Sequence, residues 1–246
     1  MKEATGGREV RVLGVGTTGI VADGKVVRSD RLPDWQGVDL AAELGDGRTY
    51  PVLAGNDTNL ATLAEYWRGA ARGTGDVVYL PVGRSISVGL LLGGTLHKGR
   101  HGGAGEIGVL GSLGWYTAFD RFLSHGRSGS VPAGAAAERV FEAARGGDAE
   151  ATDVVRAFVA DLATGVAATV LTVDPELVVI GGGLSRAGDL LAEPLRAALS
   201  RLCLFPVQVE TSVLGDEAVA LGAVRLGLDH VERDLFGVPT VTDVPS

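Results

Sequence analysis

One cysteine, Cys203, stands in 246 residues, and that scarcity removes two options at once. A single thiol cannot close an internal disulfide, nor can it supply the thiolates of a structural zinc knuckle. The four histidines, His97, His101, His125 and His230, are scattered, and none has a partner at metal-ligand spacing, so no metal is expected. Positive charge is also in deficit. The net charge is −8, the pI is about 5.0, and Lys and Arg form no cluster. Nucleic-acid binding draws most of its non-specific affinity from such clusters, so DNA is expected to be reached only through a domain absent from this chain. Long apolar runs are missing too. The uncharged stretch Leu162 to Val173, like every other in the chain, is shorter than the roughly 20 residues of a membrane helix, and no leading segment reads as a signal peptide. No membrane partner and a cytoplasmic location are the corresponding expectations. No Gly-x-Ser-x-Gly elbow occurs, which leaves a serine hydrolase unsupported.

What the chain does have is 46% hydrophobic residues and 38 glycines. That is enough apolar material for one large or two small domains, with too much glycine for a helical bundle. Met1 to Glu9 is polar. Val10 to Gly16 reads as a strand, Ala22-Asp23-Gly24-Lys25 as a hairpin turn, Ser29 to Gly37 as a loop and Val38 to Leu44 as a short helix. Gly69 to Gly75 breaks the pattern and is a candidate hinge. Val77 to Gly83, Ile86 to Leu92 and Thr95 to His97 read as strands. Helical character begins at Trp115 and is interrupted between Gly126 and Pro132. Val155, Phe158, Leu162, Val166 and Val170 recur at helical spacing in a long helix from Asp148 to Val173, which Asp174-Pro175 stops. A buried strand at Glu176–Ile180, a helix bearing Leu191, Leu195, Leu199 and Leu202, a strand at Pro206–Ser212 and a helix at Asp216–Leu228 complete the order. Cys203, among Leu202, Leu204 and Phe205, is expected to be a buried structural thiol.

Two stretches carry chemistry. Pro51 to Ala54 reads as a strand that stops at Asn56-Asp57, after which Leu60, Leu63, Ala64, Trp67 and Ala71 mark one face of a helix. Asp57 therefore lies at a strand-to-helix junction, where ligands bind in α/β proteins and where a carboxylate can take a proton from a hydroxyl. Asn and Asp are equally the preferred helix N-caps, and spacing alone favours capping. The second stretch, Gly102-Gly103-Ala104-Gly105-Glu106-Ile107-Gly108, embeds one carboxylate in a glycine-rich loop that has little structural use for it. Gly181-Gly182-Gly183, after a strand, suits either a nucleotide phosphate or a tight turn.

In order along the chain, Gly14 to Val21, Leu32 to Leu40, Asn56-Asp57, Gly99 to Gly108 and Asp174 to Ser185 resemble the ROK family of repressors, open reading frames and sugar kinases. The resemblance covers nearly the whole chain. It implies an actin-like, ribonuclease-H-type two-domain α/β fold with a sugar cleft between the domains. The implied division is a partial N-terminal domain, residues 1–74, on which a last helix at 216–228 packs back, and a C-terminal domain, residues 75–246. In kinase members the aspartate matching Asp57 is the catalytic base, and residues matching Asn56 and Glu106 hold sugar hydroxyls.

The departures from the family pattern fall on the phosphate side. The Asp-x-Gly-x-Thr hairpin that opens the kinases has no counterpart here, so the resemblance is to an N-terminally truncated member. The second phosphate loop stands as Gly83-Arg84-Ser85-Ile86-Ser87-Val88-Gly89, with side chains where glycines would admit a phosphate. Val109 replaces the family histidine, the zinc knuckle is absent from Leu110 to Phe119, and Arg31 replaces the usual sugar-loop asparagine. The expectation is a sugar-binding effector module of a transcriptional regulator that senses a sugar or sugar derivative without catalysis, most like the members that lack the zinc motif. Asn56, Asp57, Glu106 and Arg31 are its ligand-binding residues. No cofactor is expected, and a homodimer is. The alternative is a sugar kinase or its remnant, with Asp57 as base, ATP and magnesium as cofactors, and Gly83, Gly181, Gly182 and Gly183 at the nucleotide.

Overall fold

The computed structural model describes residues 9–83, 86–127 and 131–237. The polar lead before residue 9, Arg84-Ser85, and residues 128–130 of the interruption between Gly126 and Pro132 lie outside the described residues. In chain order the elements are β1 (Leu13–Thr17), β2 (Ile20–Ala22), β3 (Lys25–Arg28), α1 (Leu40–Gly45), β4 (Val52–Asn56), α2 (Asp57–Arg68), β5 (Val77–Pro81), β6 (Gly89–Leu92) and β7 (Thr95–Leu96). They continue with α3 (Trp115–Gly126), α4 (Ala133–Arg145), α5 (Ala149–Val173), β8 (Leu177–Gly181), α6 (Asp189–Leu202), β9 (Gln208–Thr211) and α7 (Ala218–Phe236).

The larger sheet has the order β7-β6-β5-β8-β9, with β5, β8 and β9 parallel and β6 and β7 antiparallel additions. Strands β5 and β8 are near-continuous apolar runs because both faces are covered. The period of two divides them. Val78, Leu80, Val178 and Ile180 face a core shared with α3 to α6, whereas Val77, Tyr79, Leu177 and Val179 face a second core with Ala61 of α2 and Ala218 of α7. Burial of each large side chain contributes about 1.5–3 kcal/mol. Phe122 stacks on Phe158 at 4.8 Å between ring centroids and tilts against Phe141 at 5.2 Å, which locks α3, α4 and α5 together. Helix α5 starts where the Asp148 carboxylate accepts from Ala151 N at 2.8 Å and stops at Asp174, which turns left-handed (φ 48°) ahead of Pro175. By length and composition it is apolar enough to cross a membrane, although the uncharged run alone is not. Its inward residues, Val155, Phe158, Leu162 and Val166 among them, lie in the core.

The smaller sheet is a parallel pair, β1 with β4, flanked by the β2–β3 hairpin. Helix α7 lies across α2 and β1. It runs to Phe236, eight residues beyond the expected end at Leu228, because Arg225, Asp229 and Glu232 sit one and two turns apart and pair along one face of the helix. The short helix begins at Leu40 rather than Val38, since Asp39 is its N-cap and accepts from Ala42 N at 2.9 Å. Cys203 is not buried as expected. Helix α6 ends at Leu202, and the following segment runs along the surface, leaving the thiol half-buried and Leu204 and Phe205 exposed.

Candidate functional site

Strand β4 delivers Asn56 and Asp57 to the same point, and the structure gives them different work. Asn56 is the N-cap of α2: its Oδ1 accepts from Asn59 N at 2.9 Å, while its Nδ2 donates to Gly19 O at 2.8 Å and Asp57 Oδ1 at 3.2 Å. Asp57 is the first residue of the helix and not its N-cap. Its Oδ1 accepts from the neighbouring Thr58 N at 2.8 Å, which fixes the carboxylate at the mouth of a cavity. Spacing alone favoured capping for both residues. The geometry assigns it to Asn56 and frees Asp57.

Glu106 reaches the same cavity from the other half of the chain, and glycines allow it. Val88 N donates to Gly105 O at 2.8 Å, so residues 86–88 and 105–108 lie against each other. A Cβ at Gly105 would stand 1.8 Å from Val88 O, and one at Gly108 would stand 1.9 Å from Ile86 O. Any other residue at either place would lift the loop, and Glu106 with it, away from Asp57. The 86–88 segment is in turn fastened to α2 by a 2.8 Å hydrogen bond between Thr58 Oγ1 and Ser87 Oγ, both buried.

The cavity these elements enclose is about 140 Å³. Asn56, Asp57 and Glu106 line it, together with Arg28, Asp30 and Arg31 from the β3 end, and Ser87, Val109 and Tyr116 from the other side. Burial raises the Asp57 carboxyl above its ordinary range, opposed by the Thr58 N–H and by Arg31. Burial likewise raises Glu106, and the charges of Asp57 and Asp30 add to it while Arg28 opposes them. Two carboxylates thus face one small space without a bond between them. Such a pair suits a ligand that brings several hydroxyl donors, and the flanking guanidinium groups suit acceptor atoms.

All four expected ligand residues, Arg31, Asn56, Asp57 and Glu106, meet at this cavity. Gly83, Gly181, Gly182 and Gly183 do not line it. A Cβ at Gly181 would strike the Tyr79 hydroxyl at 2.1 Å, and one at Gly182 would come within 2.8 Å of Val82 O, so the space at both is filled by the protein itself. Gly83 and Gly183 face open space. Arg28, Asp30, Ser87 and Tyr116 had not been singled out. Arg28 and Asp30 lie far from both the Asn-Asp and Glu motifs in sequence, Tyr116 follows Glu106 by ten residues, and no local pattern marks the three. Ser87 was legible only as one of the side chains crowding a glycine loop. Among the described residues no three His, Cys, Asp or Glu side chains gather as a metal-ligand group.

A sequence profile described as the ROK family matches residues 1–111 and 117–230. Glucokinase from Thermotoga maritima is 32% identical over an alignment covering 91% of this chain and 81% of that enzyme. The xylose repressor of Caldicellulosiruptor bescii is 26% identical over 92% of this chain, which spans only 64% of the repressor's length. Among solved structures, a ROK family glucokinase from Streptomyces griseus in complex with glucose and AMPPNP superposes with a TM-score of 0.73 at 26% identity, over 91% of this chain and 83% of that one. The fold is that of the actin-like sugar kinases. Kinases and repressors stand side by side among the relatives.

Proposed function

The chain belongs to the ROK family, and from that premise we propose that it is a sugar-binding effector module of a transcriptional regulator. A sugar or sugar derivative occupies the cavity between Asp57 and Glu106 and is sensed there without being phosphorylated. The observation that supports the reading is the opposition of these two carboxylates, with Asn56 holding one in place and Gly105 and Gly108 admitting the other. Asn56, Asp57, Glu106 and Arg31 are the ligand-binding residues of the proposal.

The chain divides, in this reading, at residue 74 into an N-terminal unit that includes α7 and a C-terminal unit from residue 75. Asp57 stands on the first and Glu106 on the second, so a sugar held by both favours a closed arrangement. The module is a cytoplasmic homodimer and needs no cofactor. It reaches DNA through a domain outside this chain.

Sensing is preferred to phosphoryl transfer because of the phosphate side. Phosphoryl transfer depends on positioning and on stabilising charge, and the loop reads Gly83-Arg84-Ser85 where the kinases use glycines. Tyr79 and Val82 lie against Gly181 and Gly182, whereas Gly83 and Gly183 face open space, and no step is derived through ATP or magnesium. A second reading, a sugar kinase, is supported by one observation: burial raises the Asp57 carboxyl, which suits a general base. A coupled ADP-release assay across glucose, xylose and N-acetylmannosamine separates the two. The sensor reading expects no sugar-dependent ADP above a no-protein control, and clear turnover would replace it with the kinase.

A further inference from the structure

The mouth of the carboxylate cavity carries an apolar lip. Val109 and Tyr116 line the cavity together with Asp57 and Glu106, yet both are at least half exposed, and so is Leu110, next to Val109 in the chain. Local folding turns these side chains out. Ile107–Val109 is one turn of 3-10 helix, closed where Leu110 N donates to Ile107 O at 3.0 Å, and a second turn follows at Gly111–Leu113. Ile107 and Leu113 pack against the large core, whereas Val109 and Leu110 stay outside it. Helix α3 then buries Trp115, Ala118, Phe119 and Phe122 on one face, which leaves Tyr116 on another. Single exposed apolar residues are ordinary; three within eight residues, two of them walls of a cavity, form a surface that suits a ligand.

The cavity itself holds little. At about 140 Å³ it is well below the roughly 300–1,000 Å³ of sites that enclose a drug-sized ligand, so it suits one sugar ring, and any further group must leave across the lip. We propose that Tyr116, Val109 and Leu110 form an accessory subsite for a second ring, so that the sugar held between Asp57 and Glu106 is one end of a disaccharide or of a ring-bearing glycoside. The inference rests on the sugar-binding reading of the cavity. A sugar ring presents apolar C–H groups on its faces, and a phenol offers a flat apolar surface with a polar tip. Burial and the charge of Glu106 raise the Tyr116 hydroxyl above its ordinary range, with Asp30 adding to them and Arg31 opposing. The polar tip therefore faces the charged side of the mouth, and the exposed remainder of the residue is open to a ring that stacks. Val109 and Leu110 supply further apolar area, whose removal from water favours the longer ligand over the single sugar.

The test is calorimetry of the full chain with single-ring sugars and their two-ring counterparts: glucose against maltose, cellobiose and phenyl β-glucoside, and xylose against xylobiose. At least one two-ring ligand should bind at least about fivefold more tightly than its single-ring parent, the scale of one aromatic contact with some apolar burial. Tyr116→Ala, and separately the Val109→Ser/Leu110→Ser double variant, should shrink that ratio, and Tyr116→Phe should keep it, because stacking needs the ring. Melts of each variant without ligand, matching the wild type, establish that the fold is retained, as expected for half-exposed positions. A larger gain from the phenyl group assigns the subsite to an aromatic aglycone, and a larger gain from the disaccharides assigns it to a sugar ring. Binding of glucose or xylose with no gain from any second ring overturns the proposal and leaves the sugar reading standing. A gain that survives undiminished in Tyr116→Ala and in the double variant overturns it as well. Binding of none of the probes removes the sugar reading, and the proposal with it.

Discussion

Thr58 and Ser87 share a buried hydrogen bond of 2.8 Å between their hydroxyl groups, and through it the first turn of α2 is fastened to the segment against which the Glu106 loop lies. The bond sits one residue beyond Asp57. The two carboxylates of the cavity are therefore held in register by a contact that neither of them makes. Ser87→Ala removes the bond and leaves the Thr58 hydroxyl without it, at a cost of about 1–3 kcal/mol. A lower melting temperature and weaker sugar binding should appear together in this variant; a melt equal to wild type would show that the tie contributes nothing.

Asp57→Asn and Asn56→Ala should behave as opposites although the residues are neighbours. Asp57 is not the N-cap and Asn serves as well as Asp at a helix start, so Asp57→Asn should weaken sugar binding by about 1.5–3 kcal/mol, the range for hydrogen bonds to a charged acceptor, without lowering the melting temperature. Asn56 is the cap and the tether to Gly19, so Asn56→Ala should cost about 0.5–2 kcal/mol of stability. Calorimetry beside thermal melts checks both halves, and equal sugar affinity in wild type and Asp57→Asn would return that residue to a purely structural role.

Gly105→Ala places a methyl group 1.8 Å from Val88 O at a left-handed position (φ +85°), so the loop must move. Strain of this kind costs about 1–3 kcal/mol. The account expects sugar affinity to fall with stability, because Glu106 rides on the displaced loop. Unchanged affinity would mean that the position of Glu106 does not matter to the ligand.

Burial, with the charges of Asp57 and Asp30 added, raises the folded-state Glu106 carboxyl above its unfolded value. The fold therefore favours the protonated acid. Its contribution to stability is fully present below the unfolded pKa of about 4.3 and is lost as the pH rises through the higher folded value. Glu106→Gln should melt above the wild type at neutral pH, and the advantage should vanish near about pH 4. A pH-independent difference between the two melting curves would contradict this electrostatic assignment.

Much of the fold was legible where one segment carries its own start and stop. Helix α5 has Asp148 as its cap and Asp174-Pro175 as its end, and β8 is a run of apolar residues that only a covered strand accommodates. The Asn-Asp junction and the Glu-bearing glycine loop were legible for the same reason. What escaped was set by partners distant in sequence. Which of Asn56 and Asp57 caps α2 depends on Gly19, to which Asn56 also donates. The expected helix ends at Leu228, but Arg225 pairs with Asp229 and Glu232 along the further turns of α7. Cys203 sits in an apolar string, which suggested burial; α6 ends beside it, and the string lies on the surface. Tyr116 and Arg28 reach the cavity from opposite halves of the chain, and only the folded arrangement brings them there.

The central claim is that Asp57 and Glu106 hold one sugar between them, and calorimetric titration of the full chain with glucose, xylose and N-acetylmannosamine tests it most directly. Saturable heat with at least one sugar, reduced by at least about tenfold in both Asp57→Asn and Glu106→Gln, is the predicted result. Absence of heat with every sugar, or equal affinity in wild type and both variants, would contradict it.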